Sequence, residues 1–137
     1  MTAKLVDWLR SELNRLEQIA QAAAVADGPV WTHNPDDGWI VEGNDGPVIY
    51  DEGSPTGDQA QHIARHDPAA VLRRVAADRH LLDEHPLKQR LAIGPRMKAR
   101  PVWVCATCGG DVREDPNAYP CLTVRLLAEG YGWEEPQ

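Results

Sequence analysis

The sequence predicts an α+β protein with an N-terminal helix, a small antiparallel β-meander, a long central helix, and a C-terminal cysteine-bearing lobe with one short helix. Three observations carry that prediction. Val6, Leu9, Leu13, Leu16 and Ala20 recur at steps of three and four, the apolar stripe of an amphipathic helix. Three short β-type runs between residues 30 and 51 are separated by Asn34-Pro35-Asp36-Asp37-Gly38 and Gly43-Asn44-Asp45-Gly46, both strong turn signals. Cys105, Cys108 and Cys121 cluster near the C-terminus.

In the first helix Arg10, Glu12 and Glu17 lie off the stripe, Thr2 is placed to cap the start, and Gly28-Pro29 stops it. Two heptads are too few to specify a coiled coil, so the stripe predicts burial on the protein's own core, with a homodimer seam as the alternative. The strands expected are Val30–His33, Trp39–Glu42 and Val48–Asp51, with Trp31, Trp39, Val41, Val48 and Tyr50 on the buried side. Residues 58–65 read as a short helix. Asp67-Pro68 then reads as an N-cap with proline at the first helical position. Val71, Leu72, Val75, Ala76 and Leu82 carry that helix to Glu84, and Pro86 bars its continuation. Lys88 to Pro101 reads as a basic connector, and a last helix runs from Leu122 to Glu129, ended by Gly130 in the left-handed position. The division expected is therefore an α+β core over 1–87, a connector over 88–101, and a cysteine lobe over 102–137, all in one compact domain.

Size and composition fit this. A chain of 137 residues can bury a real core. It has no phenylalanine, so five tryptophans supply most of the aromatic bulk. No apolar run reaches the length of a signal peptide core or a membrane span, which leads us to expect a cytoplasmic protein with no membrane partner. An odd, clustered set of cysteines argues against a disulfide framework. The net charge of −7 argues against a simple nucleic-acid coat. The charge is unevenly spread. Residues 27–58 hold acids and no Lys or Arg, while Lys88, Arg90, Arg96, Lys98 and Arg100 form a run without an acid. Such blocks ordinarily face solvent or each other; the sharper reading makes one of them a partner surface.

The cysteines carry the strongest chemical signal. Trp103-Val104-Cys105-Ala106-Thr107-Cys108-Gly109-Gly110 is a strand followed by C-x-x-C and two glycines. This is the order a metal knuckle needs, because the sulfurs converge on one ion and glycine lets the chain turn away. Cys121 follows Pro120 and opens a helix, whose N-terminus favours a thiolate. A redox dithiol would need its second cysteine inside a helix, which Gly109-Gly110 would break. An iron–sulfur centre would need a further ligand. The cluster therefore predicts one structural Zn2+ in a zinc-knuckle lobe. His85, at the end of the long helix, is the leading fourth ligand and His80 the second. Deaminases carry H-x-E ahead of P-C-x-x-C, and no such acid stands here.

His62 and His66 lie one helical turn apart, but Ile63 stands where a metalloprotease has its glutamate. The plain reading is a capped helix junction with polar histidines, Asp67 being placed to orient His66.

His62-Ile63-Ala64-Arg65-His66-Asp67-Pro68-Ala69-Ala70-Val71-Leu72, with the helix ending in His85, and Tyr119-Pro120-Cys121-Leu122-Thr123-Val124-Arg125-Leu126-Leu127-Ala128 resemble a family of small actinobacterial and actinophage proteins, domain of unknown function 6221. Leu5-Val6-Asp7-Trp8-Leu9 and Gly28-Pro29-Val30-Trp31 are similar to its N-terminal pattern. The resemblance implies fold membership and a phage-related, accessory or host-modulating setting. It implies no activity.

Two functions compete. The first is a non-enzymatic, zinc-stabilised protein that binds a protein partner. It follows from the lack of a phosphate loop, a carboxylate pair or a nucleophile–base pair; Ser11 and Ser54 sit in no nucleophile elbow. The second is a nucleic-acid module using Lys88, Arg90, Arg96, Lys98 and Arg100 beside Trp103. A metal-dependent hydrolase built on His62 and His66 is the weakest reading.

Overall fold

The computed structural model describes residues 2–37, 40–49, 55–93, 99–109 and 119–134. Trp39, Tyr50, Asp51, Arg96 and Lys98 lie outside them. The fold is α+β, with elements α1 (Thr2–Asp27), β1 (Thr32–Asn34), β2 (Ile40–Gly43), β3 (Gly46–Ile49), α2 (Gly57–Arg65), α3 (Pro68–Glu84), β4 (Leu87–Ile93), β5 (Ala99–Cys105) and α4 (Leu122–Gly130). No helix among the described residues is long and apolar enough to cross a membrane. The chain forms two compact units, Leu13–Ala77 and a second that joins Met1–Glu12 to Asp78–Gln137. This grouping differs from the sequence division at residue 87, because α1 and α3 each lend residues to both units.

In the Leu13–Ala77 unit, β1, β2 and β3 form the expected antiparallel meander, with Thr32 opposite Glu42 and Val41 opposite Ile49. Val41 is fully buried and Trp31 and Val48 partly so. β1 starts two residues later than the expected run and ends one later, β2 continues one residue further to Gly43, and β3 starts two residues earlier at Gly46. Gly43 pairs with Gly46, so both glycines belong to strands and only Asn44-Asp45 forms the loop. Pro47 is tolerated because β3 is an edge strand. α1 ends as expected at Gly28, with φ +76 and its amide on the Ala24 carbonyl at 3.1 Å. At its other end, Thr2 is the first helical residue rather than a cap. α2 starts at a capping box: Gln59 N donates to Thr56 Oγ1 at 3.3 Å and Thr56 N to Gln59 Oε1 at 2.9 Å.

Asp67 joins two parts of this unit. One carboxylate oxygen accepts from Ala70 N at 2.7 Å, capping α3, and the other accepts from Trp31 N at 3.1 Å. Ala69 N donates to Pro29 O at 2.8 Å alongside. The carboxylate therefore serves backbone amides of α3 and the segment before β1, not the orientation of His66.

In the other unit, residues 88–93 and 99–101 are strand rather than connector. β4 and β5 pair antiparallel along their length, from Leu87 opposite Cys105 to Ile93 opposite Ala99. Val102 and Val104 are buried, at 4% and 5% exposure, which anchors β5. The α4 stop also differs from expectation. Gly130 is the last helical residue, and Gly132, at φ +90, holds the left-handed position. Trp133 N donates to Ala128 O and Gly132 N to Glu129 O, both at 2.9 Å, a Schellman motif. That turn sends Trp133 back to Trp8 of α1, with ring centroids 5.2 Å apart and planes at 58°. Next to it, Tyr131 OH donates to Asp78 of α3.

Candidate metal centre

Each ligand position follows from how the chain turns. α3 ends at Glu84, and the turn into Pro86 leaves His85 9% exposed with its amide on Leu82 O. Pro86 O accepts from Ala106 N at 2.9 Å, which closes the base of the β4–β5 hairpin. Cys105 ends β5 and is fully buried. The chain then reverses: Cys108 N points at Cys105 Sγ at 3.5 Å, Gly109 N donates to Cys105 O at 3.0 Å, and Gly109 adopts φ +70. Thr107 Oγ1 donates to Glu84 O, fixing this knuckle to the end of α3. Cys121 is the N-cap residue of α4 and makes no side-chain cap hydrogen bond, so its sulfur is free to point elsewhere.

Those turns bring one nitrogen and three sulfurs together. His85 Nδ1 lies 3.5 Å from Cys105 Sγ, 3.4 Å from Cys108 Sγ and 3.5 Å from Cys121 Sγ. All four ligand atoms fall within 4.8 Å of one another. None of the three cysteines is in a disulfide. Hydrogen bonding does not explain this arrangement, because an imidazole nitrogen has either one lone pair or one proton and cannot serve three sulfurs at once. The donor set could hold a metal ion. His80 is exposed on α3 and takes no part.

The electrostatics point the same way. Burial pushes the Cys105 thiol up, but the Cys108 amide, the His85 ring, the Thr107 amide and Cys121 outweigh it and bring it down to about 7. Cys108 goes the other way, to about 11, through desolvation and the neighbouring Cys121 and Cys105. Gathered sulfurs oppose one another's ionisation, and a cation among them would reverse that opposition. Tyr119 is an unforeseen neighbour. It is 8% exposed, and burial raises its hydroxyl above the ordinary range despite a hydrogen bond with the Leu87 backbone. Its only sequence signal was its place in Tyr119-Pro120-Cys121; the Tyr119–Pro120 peptide is cis.

The other sequence-singled residues lie elsewhere. His62 and His66 are exposed, with ring centroids 4.5 Å apart, and His62 lines an open depression with Trp31, His33, Asp58 and Arg65. Among the described residues they belong to no group of three metal-ligating side chains. Lys88 and Arg90 are exposed on β4, and Trp103 is 47% exposed on β5. Register puts Lys88 and Arg90 opposite Val104 and Val102, whereas Trp103 is opposite Gln89. The bases and the aromatic therefore occupy opposite faces of the hairpin. Arg100 pairs with Ala92 in the hairpin.

The fold and site thus define a small α+β protein with a His/Cys3 cluster able to hold a metal ion. The family model described as a family of unknown function (DUF6221) matches residues 2–132, and the chain belongs to that family. No curated protein and no solved structure matches it.

Proposed function

We propose that the cluster holds one structural zinc ion and that the protein works without catalysis, by presenting the zinc-held hairpin unit to a protein partner. The observation that carries this reading is the three sulfurs ranged at 3.4–3.5 Å around one imidazole nitrogen. A tetrahedral ion bound by sulfur at about 2.3 Å and nitrogen at about 2.0–2.1 Å sets an N–S edge of about 3.6 Å. Three thiolates and an imidazole suit zinc by softness, and four protein ligands fill its tetrahedron. A closed site of that kind supplies folding energy and leaves no position for substrate. Such an ion would join the end of α3, the end of β5, the knuckle and the start of α4, fixing the base of the hairpin.

The partner half of the proposal rests on what the hairpin exposes. Leu87, Leu91 and Trp103 are 40%, 74% and 47% exposed and share a face with exposed Pro101. Apolar surface of this kind on a rigid support is what protein recognition uses. A single-strand nucleic-acid site needs phosphate-binding cations and a stacking ring on one surface, and Lys88 and Arg90 are on the face opposite Trp103. An accessory role in a phage or mobile element belongs to the same proposal and rests on the sequence resemblance alone.

The test is affinity capture from host extract with the wild-type protein and with a Leu91→Ala, Trp103→Ala variant, measuring bound zinc in both. We expect a protein retained by the wild type and lost by the variant, with zinc unchanged. Salt-sensitive capture of nucleic acid instead would overturn the partner assignment.

A further inference from the structure

We propose that the outer edge of β4 is a docking strand for an extended, acidic segment of a partner protein, which adds to the hairpin as a third strand. This deepens the partner half of the proposed function and rests on it.

The argument starts from which backbone groups face outward. In an antiparallel pair, residues alternate between positions that bond across the pair and positions whose N–H and C=O point away from it. Ala106 N donates to Pro86 O, so the pair at 86 and 106 bonds inward. The register then makes Lys88 with Val104, and Arg90 with Val102, inward-bonding pairs. Leu87, Gln89 and Leu91 on β4, and Pro101, Trp103 and Cys105 on β5, direct their backbone groups outward. Three observations agree with this phase. The Leu87 backbone meets the Tyr119 hydroxyl, the Cys105 carbonyl accepts from Gly109, and Pro101, which has no N–H, sits where no cross-strand donor is needed.

The two edges therefore differ. The β5 edge lacks a donor at Pro101, and its Cys105 carbonyl is taken by the knuckle. The β4 edge keeps the donors and acceptors of Gln89 and Leu91. Among the described residues, β4 pairs with β5 alone. Lys88, Gln89, Arg90 and Leu91 are all exposed. An unpaired, regular edge of this kind is a template for β-augmentation.

Charge selects the occupant. Lys88 and Arg90 flank the open amides on one face, and Leu91 continues the Trp103 and Pro101 surface on the other. A second copy pairing through β4 would set these bases against their own kind, which disfavours self-association. An added strand with acidic side chains toward Lys88 and Arg90, and apolar ones toward Leu91 and Trp103, satisfies both faces and the backbone.

The probe is a labelled synthetic peptide of alternating glutamate and valine, titrated into the zinc-loaded 137-residue chain and followed by fluorescence anisotropy. A lysine–valine peptide and a single-stranded oligonucleotide are the comparisons. We expect the glutamate peptide to bind and the other two to bind at least tenfold more weakly. Lys88→Glu with Arg90→Glu should reverse the peptide preference. Leu91→Pro, which removes an outward N–H, should abolish binding while bound zinc and the amide signals of Val102 and Val104 persist. Failure of the wild type to bind the glutamate peptide, binding that survives Leu91→Pro, or preference for the oligonucleotide would each overturn the assignment. A protein that keeps its zinc and hairpin yet fails these tests loses the β4 edge but keeps the zinc-held scaffold; one that binds no zinc loses the scaffold itself.

Discussion

The two units of this protein solve the same problem by different means. Each is too small to rely on a large core of its own. The Leu13–Ala77 unit is closed by the backbone: Asp67 serves amides at Trp31 and Ala70, Asn44 N donates to Asp27 O at 2.7 Å, and Gly43 permits that approach. The unit of Met1–Glu12 with Asp78–Gln137 instead brings His85, Cys105, Cys108 and Cys121 to one point. The contrast teaches where each kind of closure is needed. Tight turns and caps suffice where a short meander meets helix ends. A hairpin with an exposed face and a short helix needs a staple at its base.

The comparison can be broken most sharply at the staple. Cys105→Ser removes a fully buried member of the cluster, and on the proposed zinc reading a structural site contributes on the order of 10 kcal/mol to its local unit. Amide exchange at Val102, Val104 and Ala128 should become fast, while Val41 and Ala60 keep their protection. Equal loss in both units would mean that they are not separately held.

Asp67→Ala is the counterpart on the other side. It removes a helix cap and a second hydrogen bond to a buried carboxylate, at a cost of about 2–3 kcal/mol. Chemical denaturation should show that loss with bound zinc unchanged. Gly43→Ala comes next. A Cβ there would stand 2.3 Å from Asp27 O, so the Asn44–Asp27 bond must open, at about 1–2 kcal/mol. Smallest is Gly132→Ala, where φ is +90 and the added Cβ meets nothing, leaving only the left-handed strain of about 1 kcal/mol. It should lower the thermal midpoint slightly and leave the metal in place.

The sequence disclosed the parts of this molecule that rest on local chemistry. Asp67-Pro68 announced a cap, Gly28-Pro29 a helix end, and C-x-x-C-Gly a knuckle, because each is a short-range backbone requirement. His85 was readable only through Pro86, which forces the chain to turn where a fourth ligand was wanted. The β4–β5 hairpin was missed because Lys88-Gln89-Arg90 shows no apolar alternation; its strand character comes from pairing with Val102 and Val104, a non-local cause. Gly130 and Gly132 could not be told apart, since the choice depends on where Trp133 finds Trp8. The Thr56–Gln59 capping box is a local Thr-x-x-Gln pattern and is legible in the sequence.

The central claim is that His85, Cys105, Cys108 and Cys121 together hold one structural zinc ion. Zinc-edge X-ray absorption on protein purified without chelator, with elemental analysis of the same sample, tests it most directly. The account predicts about one zinc per chain, with three sulfurs at about 2.3 Å and one nitrogen at about 2.0–2.1 Å. Metal-free protein, or a first shell without three sulfurs, would contradict it.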